Sequence, residues 1–176
     1  MRNLAHKYCF LADTLSDWVG KTCMWSAAIG MLIMIYEVFT RYVFQMANDW
    51  VFETTIMIYA FHFCMCASYA LKNGAHVAID IVSGRCSLRT QAILDMISYI
   101  IFFFPSVGIV FFRGITFAAD SWRIKEVSWS EFPAPIYLQK TIIPVMSGLL
   151  LIQGLAIFIR RVEQAIDGDN YNKEAK

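Results

Sequence analysis

Charge is scarce in this sequence. Only 16% of its 176 residues are Asp, Glu, Lys or Arg, whereas 58% are hydrophobic, and the formal net charge is +1. A soluble domain carries about 25% charged residues, so that class is excluded and the bilayer is the natural solvent. Lacking a basic surplus and any basic aromatic module, the chain is expected to have no nucleic acid partner.

Cysteine and histidine are missing where redox chemistry would need them. Of the five cysteines, Cys23, Cys64 and Cys66 fall in apolar runs, and Cys9 and Cys86 fall on the side assigned below to the cytoplasm. The two external connections have none, which excludes a quinone-linked thiol oxidase with external cysteine pairs. Among three histidines only His62 lies within a run, so a bis-histidine haem has no second ligand. A hydrogen bond between helices is the expected role of His62. No catalytic, metal-binding or cofactor-binding group is expected in this chain.

What the sequence does have is four long apolar runs, at about residues 22–40, 50–71, 92–112 and 141–159. Each approaches the roughly 20 residues that cross hydrocarbon as a helix. A lone strand there would leave its backbone groups unpaired. The expected fold is therefore an all-α integral membrane protein, a single domain over residues 1–176 with four transmembrane helices and a tail over residues 160–176.

Lys and Arg set the orientation. Ten of the 15 lie in the N-terminal segment, the second connection and the tail: Arg2, Lys7, Lys21, Lys72, Arg85, Arg89, Arg160, Arg161, Lys173 and Lys176. The other five, Arg41, Arg113, Arg123, Lys125 and Lys140, lie in the first and third connections. Both termini should be cytoplasmic. In residues 1–21, Leu4, Tyr8, Leu11, Leu15 and Trp18 recur at helical spacing, which predicts an interfacial amphipathic helix retained in the mature protein. Small residues such as Ala27, Gly30, Gly108, Gly148 and Gly154 permit close helix approach.

Ionisable groups inside spans usually face protein or water. Glu37 and Arg41, four residues apart, share a helical face as an intramembrane charge pair. Glu53 follows Asn48 and Asp49 at the start of the second span, and Asp95 holds the matching place in the third. Capping and dipole roles are expected for both. Gly74 suits the left-handed conformation that ends a helix, and His76 and Asp80 would share a face of a short interfacial helix in the second connection. Pro105 should kink the third helix, and Pro144 suits the first turn of the fourth.

Several short blocks line up with this topology. Arg41-Tyr42-Val43-Phe44 is followed by Trp50 and Glu53, and Leu71-Lys72-Asn73-Gly74-Ala75-His76-Val77-Ala78-Ile79-Asp80 follows the second span. Glu126-Val127-Ser128, Pro135, Tyr137, Lys140, Ile143-Pro144 and Gln153 complete the set. In this order they resemble the small, Q-type (DctQ-like) membrane subunit of tripartite ATP-independent periplasmic (TRAP) transporters. Met146, and Met46 with Ala47, depart from the pattern.

The resemblance implies a scaffold subunit in a bacterial inner membrane, surrounded by lipid and partnered by a large membrane subunit and a periplasmic solute-binding protein. The large subunit would bind sodium and carry a small organic acid inward. The family-motif positions Arg41, Trp50, Glu53, His76, Asp80, Glu126, Ser128, Pro144 and Gln153 would then be structural or at subunit interfaces. In the external connection, Trp122, Glu126, Trp129 and Glu131 are candidate contacts for the binding protein. Two other classes share much of this pattern. A small four-helix multidrug-type proton antiporter would use a lone Glu, here Glu37, although Arg41 stands one turn away. A membrane assembly factor unrelated to transport would share the packing residues.

Overall fold

The computed structural model describes residues 2–46, 48–74 and 88–167. Its helices are α1 (Arg2–Val43), α2 (Asp49–Lys72), α3 (Leu88–Ser98), α4 (Phe104–Ile124) and α5 (Ile136–Asp167). A π-helical turn, Tyr99–Phe103, joins α3 and α4 into one rod, Arg89–Ile124, so four helical rods are long and apolar enough to cross a membrane. Among the described residues the extended pairing is a lone antiparallel bridge between Val127 and Pro135.

Every span extends beyond its apolar run. At 42 residues, α1 measures about 63 Å. Nothing between Arg2 and Val43 breaks it, since the segment has no proline. The expected amphipathic segment, from Arg2 onward, is therefore the first half of α1 and not a separate helix. It packs through small residues and leaves most of the larger apolar stripe uncovered. Cys9, Ala12 and Ser16 are buried, whereas Leu11, Leu15 and Trp18 are exposed. The interfacial helix expected in the second connection, with His76 and Asp80, lies outside the described residues.

Local signals account for the helix ends. After α1, Phe44 and Met46 donate their amides to the Thr40 carbonyl, and Gln45 takes a positive φ of 55° to turn the chain. Gly74 ends α2 as its sequence predicts, with φ 65° and its amide on the Leu71 carbonyl at 3.2 Å. Lys125 closes α4 in the left-handed region, φ 47°, and the following Glu126 amide reaches back to Ser121 at 3.1 Å.

Both in-helix prolines require more exact placement. Pro105 follows the π-turn, in which the Phe104 amide bonds the Tyr99 carbonyl five residues back. The wider turn is the local adjustment at the proline. Pro144 is not in a first turn, because α5 already begins at Ile136, directly after Pro135. Pro144 instead interrupts the ladder within α5 by removing one amide donor. There the helix meets Gly114, where an added Cβ would lie 3.1 Å from Ile143.

The centre of the fold is α5, which packs on α1, α2, α3, the π-turn and α4. Alongside it, α1 also packs on α2. Gly20 permits that approach, since a Cβ there would fall 2.5 Å from the Tyr69 ring. Glycine at position 154 likewise makes room for the Phe103 ring of the π-turn.

Charges mark two levels across the bundle. Lys21 and Arg41 in α1, Glu53 and Lys72 in α2, Asp95 and Arg113 in the third rod, and Lys140 and Arg160 in α5 stand 18 to 20 residues apart, about 27–30 Å along each helix. That matches the hydrocarbon core of a bilayer. Between these levels the one charged side chain is Glu37, which Arg41 neutralises.

Candidate functional site

Three polar clusters hold the bundle, two at the end of the first and third connections and one at the end of the termini. In the first, Arg41 donates through Nε and Nη2 to Glu37 Oε1 at 3.1 and 2.7 Å. Asn48 Nδ2 donates to Glu37 Oε2 at 3.2 Å and to Thr40 Oγ1 at 2.9 Å. The Asn48 side chain thus ties α1 to the start of α2 and makes no cap hydrogen bond with α2, contrary to the capping expectation. Beside it the Trp50 ring packs at 6.1 Å from that of Tyr36.

The Glu37 side chain is 10% exposed and that of Arg41 61%. The two single substitutions should therefore be unequal. Arg41→Leu leaves a carboxylate uncompensated in a nearly closed position, whereas Glu37→Leu leaves a guanidinium that can reach solvent. Detergent-extracted monodisperse protein should fall several-fold for Arg41→Leu and less for Glu37→Leu, and the double substitution should recover part of it. Equal yields for all three would refute the pairing.

The second cluster anchors the third connection. It was expected over residues 113–140, yet helices occupy both of its ends, so the link is residues 125–135. Ser128 Oγ donates to Glu53 Oε1 at 2.7 Å, fastening this link to α2. Glu126 Oε2 accepts from Ser121 at 2.8 Å and from Lys140 Nζ at 2.5 Å. The Lys140 ammonium, then Ser121, holds the Glu126 carboxyl below its usual range, so it remains a carboxylate at neutral pH. Trp122, which is on α4, donates Nε1 to Thr141 Oγ1 at 2.8 Å and packs on Tyr137 at 4.6 Å. Both Glu126 and Trp122 therefore brace the fold. Trp129 and Glu131 are turned outward, with Trp129 99% exposed.

At the opposite end, fully buried Gln153 accepts from Ser16 Oγ at 2.8 Å and donates Nε2 to Asp13 Oδ1 at 3.0 Å. Arg160 pairs with the other Asp13 oxygen. Tyr8 adds a bond to the Ile152 carbonyl at 3.0 Å. Further pairs join Lys72 to Asp17 at 2.5 Å and Arg161 to Asp95 at 3.0 Å. Asp95 is thus a cross-helix partner within α3 and not a cap.

Between these ends, His62 Nδ1 lies 2.9 Å from the Cys23 carbonyl and 3.2 Å from Ser26 Oγ, an α1–α2 contact of the kind expected for it. No group of three or more His, Cys, Asp or Glu side chains able to hold a metal occurs among the described residues.

The sequence does not point to Asn48, Asp13, Ser16 and Arg160 as members of these clusters. Asp13 has no local partner, because Gln153 is 140 positions away. Asn48 is next to a helix start, where its capping propensity masks the alternative use.

A family model described as "Tripartite ATP-independent periplasmic transporters, DctQ component" matches residues 30–164. No curated protein and no solved structure matches the chain.

Proposed function

Because the chain belongs to the DctQ component family of tripartite ATP-independent periplasmic transporters, we propose that it is the small scaffold subunit of a sodium-coupled importer of a small organic acid. Its partners are a large membrane subunit and a periplasmic solute-binding protein, and its location is the bacterial inner membrane. The family match over residues 30–164 carries this reading. The four apolar rods support it, as do the three polar clusters, whose members bond to one another within the chain. Glu37, the residue an antiporter would use, is held by Arg41 and Asn48.

Both termini and the second connection face the cytoplasm in this reading, supported by the Lys and Arg asymmetry. Tagged chain co-expressed with the large subunit of its own transporter should retain that subunit through purification. A cytoplasm-only fluorescent reporter should be bright when fused after Lys176, and an externally active phosphatase should work when inserted beside Ser130. Loss of the large subunit under mild detergent would remove the scaffold role, and a cytoplasmic Ser130 would reverse the orientation.

A further inference from the structure

Two charges of opposite sign stand unpaired on the outer face of α4. Arg113 and Asp120 are both exposed. Neither makes a hydrogen bond or ion pair with any described residue. They line one open groove of about 520 Å³ with Thr116 and Phe117. Seven residues separate them, about 10.5 Å along the helix, with Phe117 in between. The nearby ammonium of Lys140 lies 4.1 Å over the Phe117 ring and is engaged by Glu126. The Thr116 hydroxyl donates to the Phe112 carbonyl at 2.9 Å.

A second groove of about 360 Å³ continues inward from Arg113, past Phe112 and Gly108 to Phe104. It is apolar apart from the arginine. Nothing lies within 4 Å of where a Gly108 Cβ would point, so the surface is recessed there. Depth is fixed from the other side of the bundle. Arg113 is 18 residues from Asp95, about 27 Å away along the rod, and Asp95 pairs with Arg161 at the opposite level. Arg113 therefore stands about where lipid phosphates begin. Asp120 lies farther out, and the apolar groove lies within the hydrocarbon.

We propose that this face of α4 binds a phospholipid with a primary-amine headgroup. The phosphate accepts from the Arg113 guanidinium, the ammonium donates to the Asp120 carboxylate, and one acyl chain lies along Phe112, Gly108 and Phe104. A phosphate and an ammonium joined by a two-carbon bridge carry their charges in the same order, from the hydrocarbon outward, as arginine and aspartate do here. An anionic lipid without an amine satisfies Arg113 and leaves the Asp120 carboxylate with no ammonium to neutralise it. A choline headgroup has no N–H to donate. The site depends on the chain spanning a membrane and not on which transporter it serves.

Delipidated full-length protein in detergent, titrated with single lipids and followed by native mass spectrometry, tests the site. Phosphatidylethanolamine should bind about tenfold more tightly than phosphatidylcholine or phosphatidylglycerol. Arg113→Gln should weaken it about tenfold, as expected for loss of a charge-assisted hydrogen bond, with Arg113→Lys falling between. Asp120→Asn should leave binding measurable and erase the preference for ethanolamine over choline. Equal binding of all three lipids, or an Arg113→Gln protein that binds like the parent, would overturn the proposal. So would saturation of the site by inorganic phosphate alone, which would make it a simple anion site. Loss of the lipid on adding the large subunit, with failed assembly of Arg113→Gln, would instead assign Arg113 to a carboxylate of that subunit.

Discussion

Replacing Gln153 with leucine should destabilise the folded chain by about 2 kcal/mol, although leucine is more at home in hydrocarbon. The amide fastens α5 to α1 through two bonds at once. It accepts from Ser16, which is 2% exposed, and donates to Asp13, which also pairs with Arg160. Removing it leaves a buried hydroxyl without an acceptor and takes one donor from the carboxylate. Polar bonds between membrane helices average below 1 kcal/mol in double-mutant cycles and reach about 1.7. Two bonds lost together, with a closed-off hydroxyl left behind, give the larger figure. Thermal unfolding in detergent should therefore show a clear drop for Gln153→Leu and a smaller one for Ser16→Ala. Adding Ser16→Ala to Gln153→Leu should cost little more, because the unpaired hydroxyl has gone. Strict additivity of the two would mean that the Ser16–Gln153 bond carries no energy.

The spans were legible in the sequence because hydropathy is local: an apolar run long enough to cross needs no tertiary information. The Glu37–Arg41 pair was legible for the same reason, since four residues on a helix define one face. So was Gly74, whose φ of 65° ends α2. Helix ends were less legible. Pro144 looked like a start, yet the carbonyl and amide pairing of α5 continues on both sides of it from Ile136. Least legible were the cross-helix bonds. Asp95 sits one turn into an apolar segment and resembles a capping residue until Arg161 is brought beside it. The packing face at the start of α1 was also hard to read. Its larger apolar side chains, Leu11, Leu15 and Trp18, are exposed to the membrane or a partner, while Cys9, Ala12 and Ser16 form the close contact. In a bilayer, large apolar residues need not be the buried ones, because small residues permit helix contact and lipid accommodates the rest.

Reconstituted into vesicles alone, the chain should take up no organic acid under an inward sodium gradient, and uptake should appear once the large subunit and the cognate binding protein are added. The reason lies in where its polar groups are. Between the two charge levels, Glu37 is the single charged side chain and is neutralised within its own helix by Arg41. A midplane substrate site in a transporter is built from interrupted helices that point backbone groups at the substrate. Here the π-turn at Tyr99–Phe103 passes directly into α4 without breaking the rod. The third connection then offers a second, separable test. Glu126 is fastened to Lys140 and Ser121, so Glu126→Lys should disturb the anchoring of the connection and lower both assembly and uptake. Trp129 and Glu131 face outward and hold nothing in place. Exposed tryptophans can dominate the energy of a docking surface, so Trp129→Ala with Glu131→Lys should reduce binding-protein-dependent uptake about tenfold while the two membrane subunits still purify together. Unchanged uptake in that variant would remove the connection from the docking surface. Uptake by the isolated chain would overturn the scaffold assignment and restore the small antiporter, with Glu37 as its first residue to test.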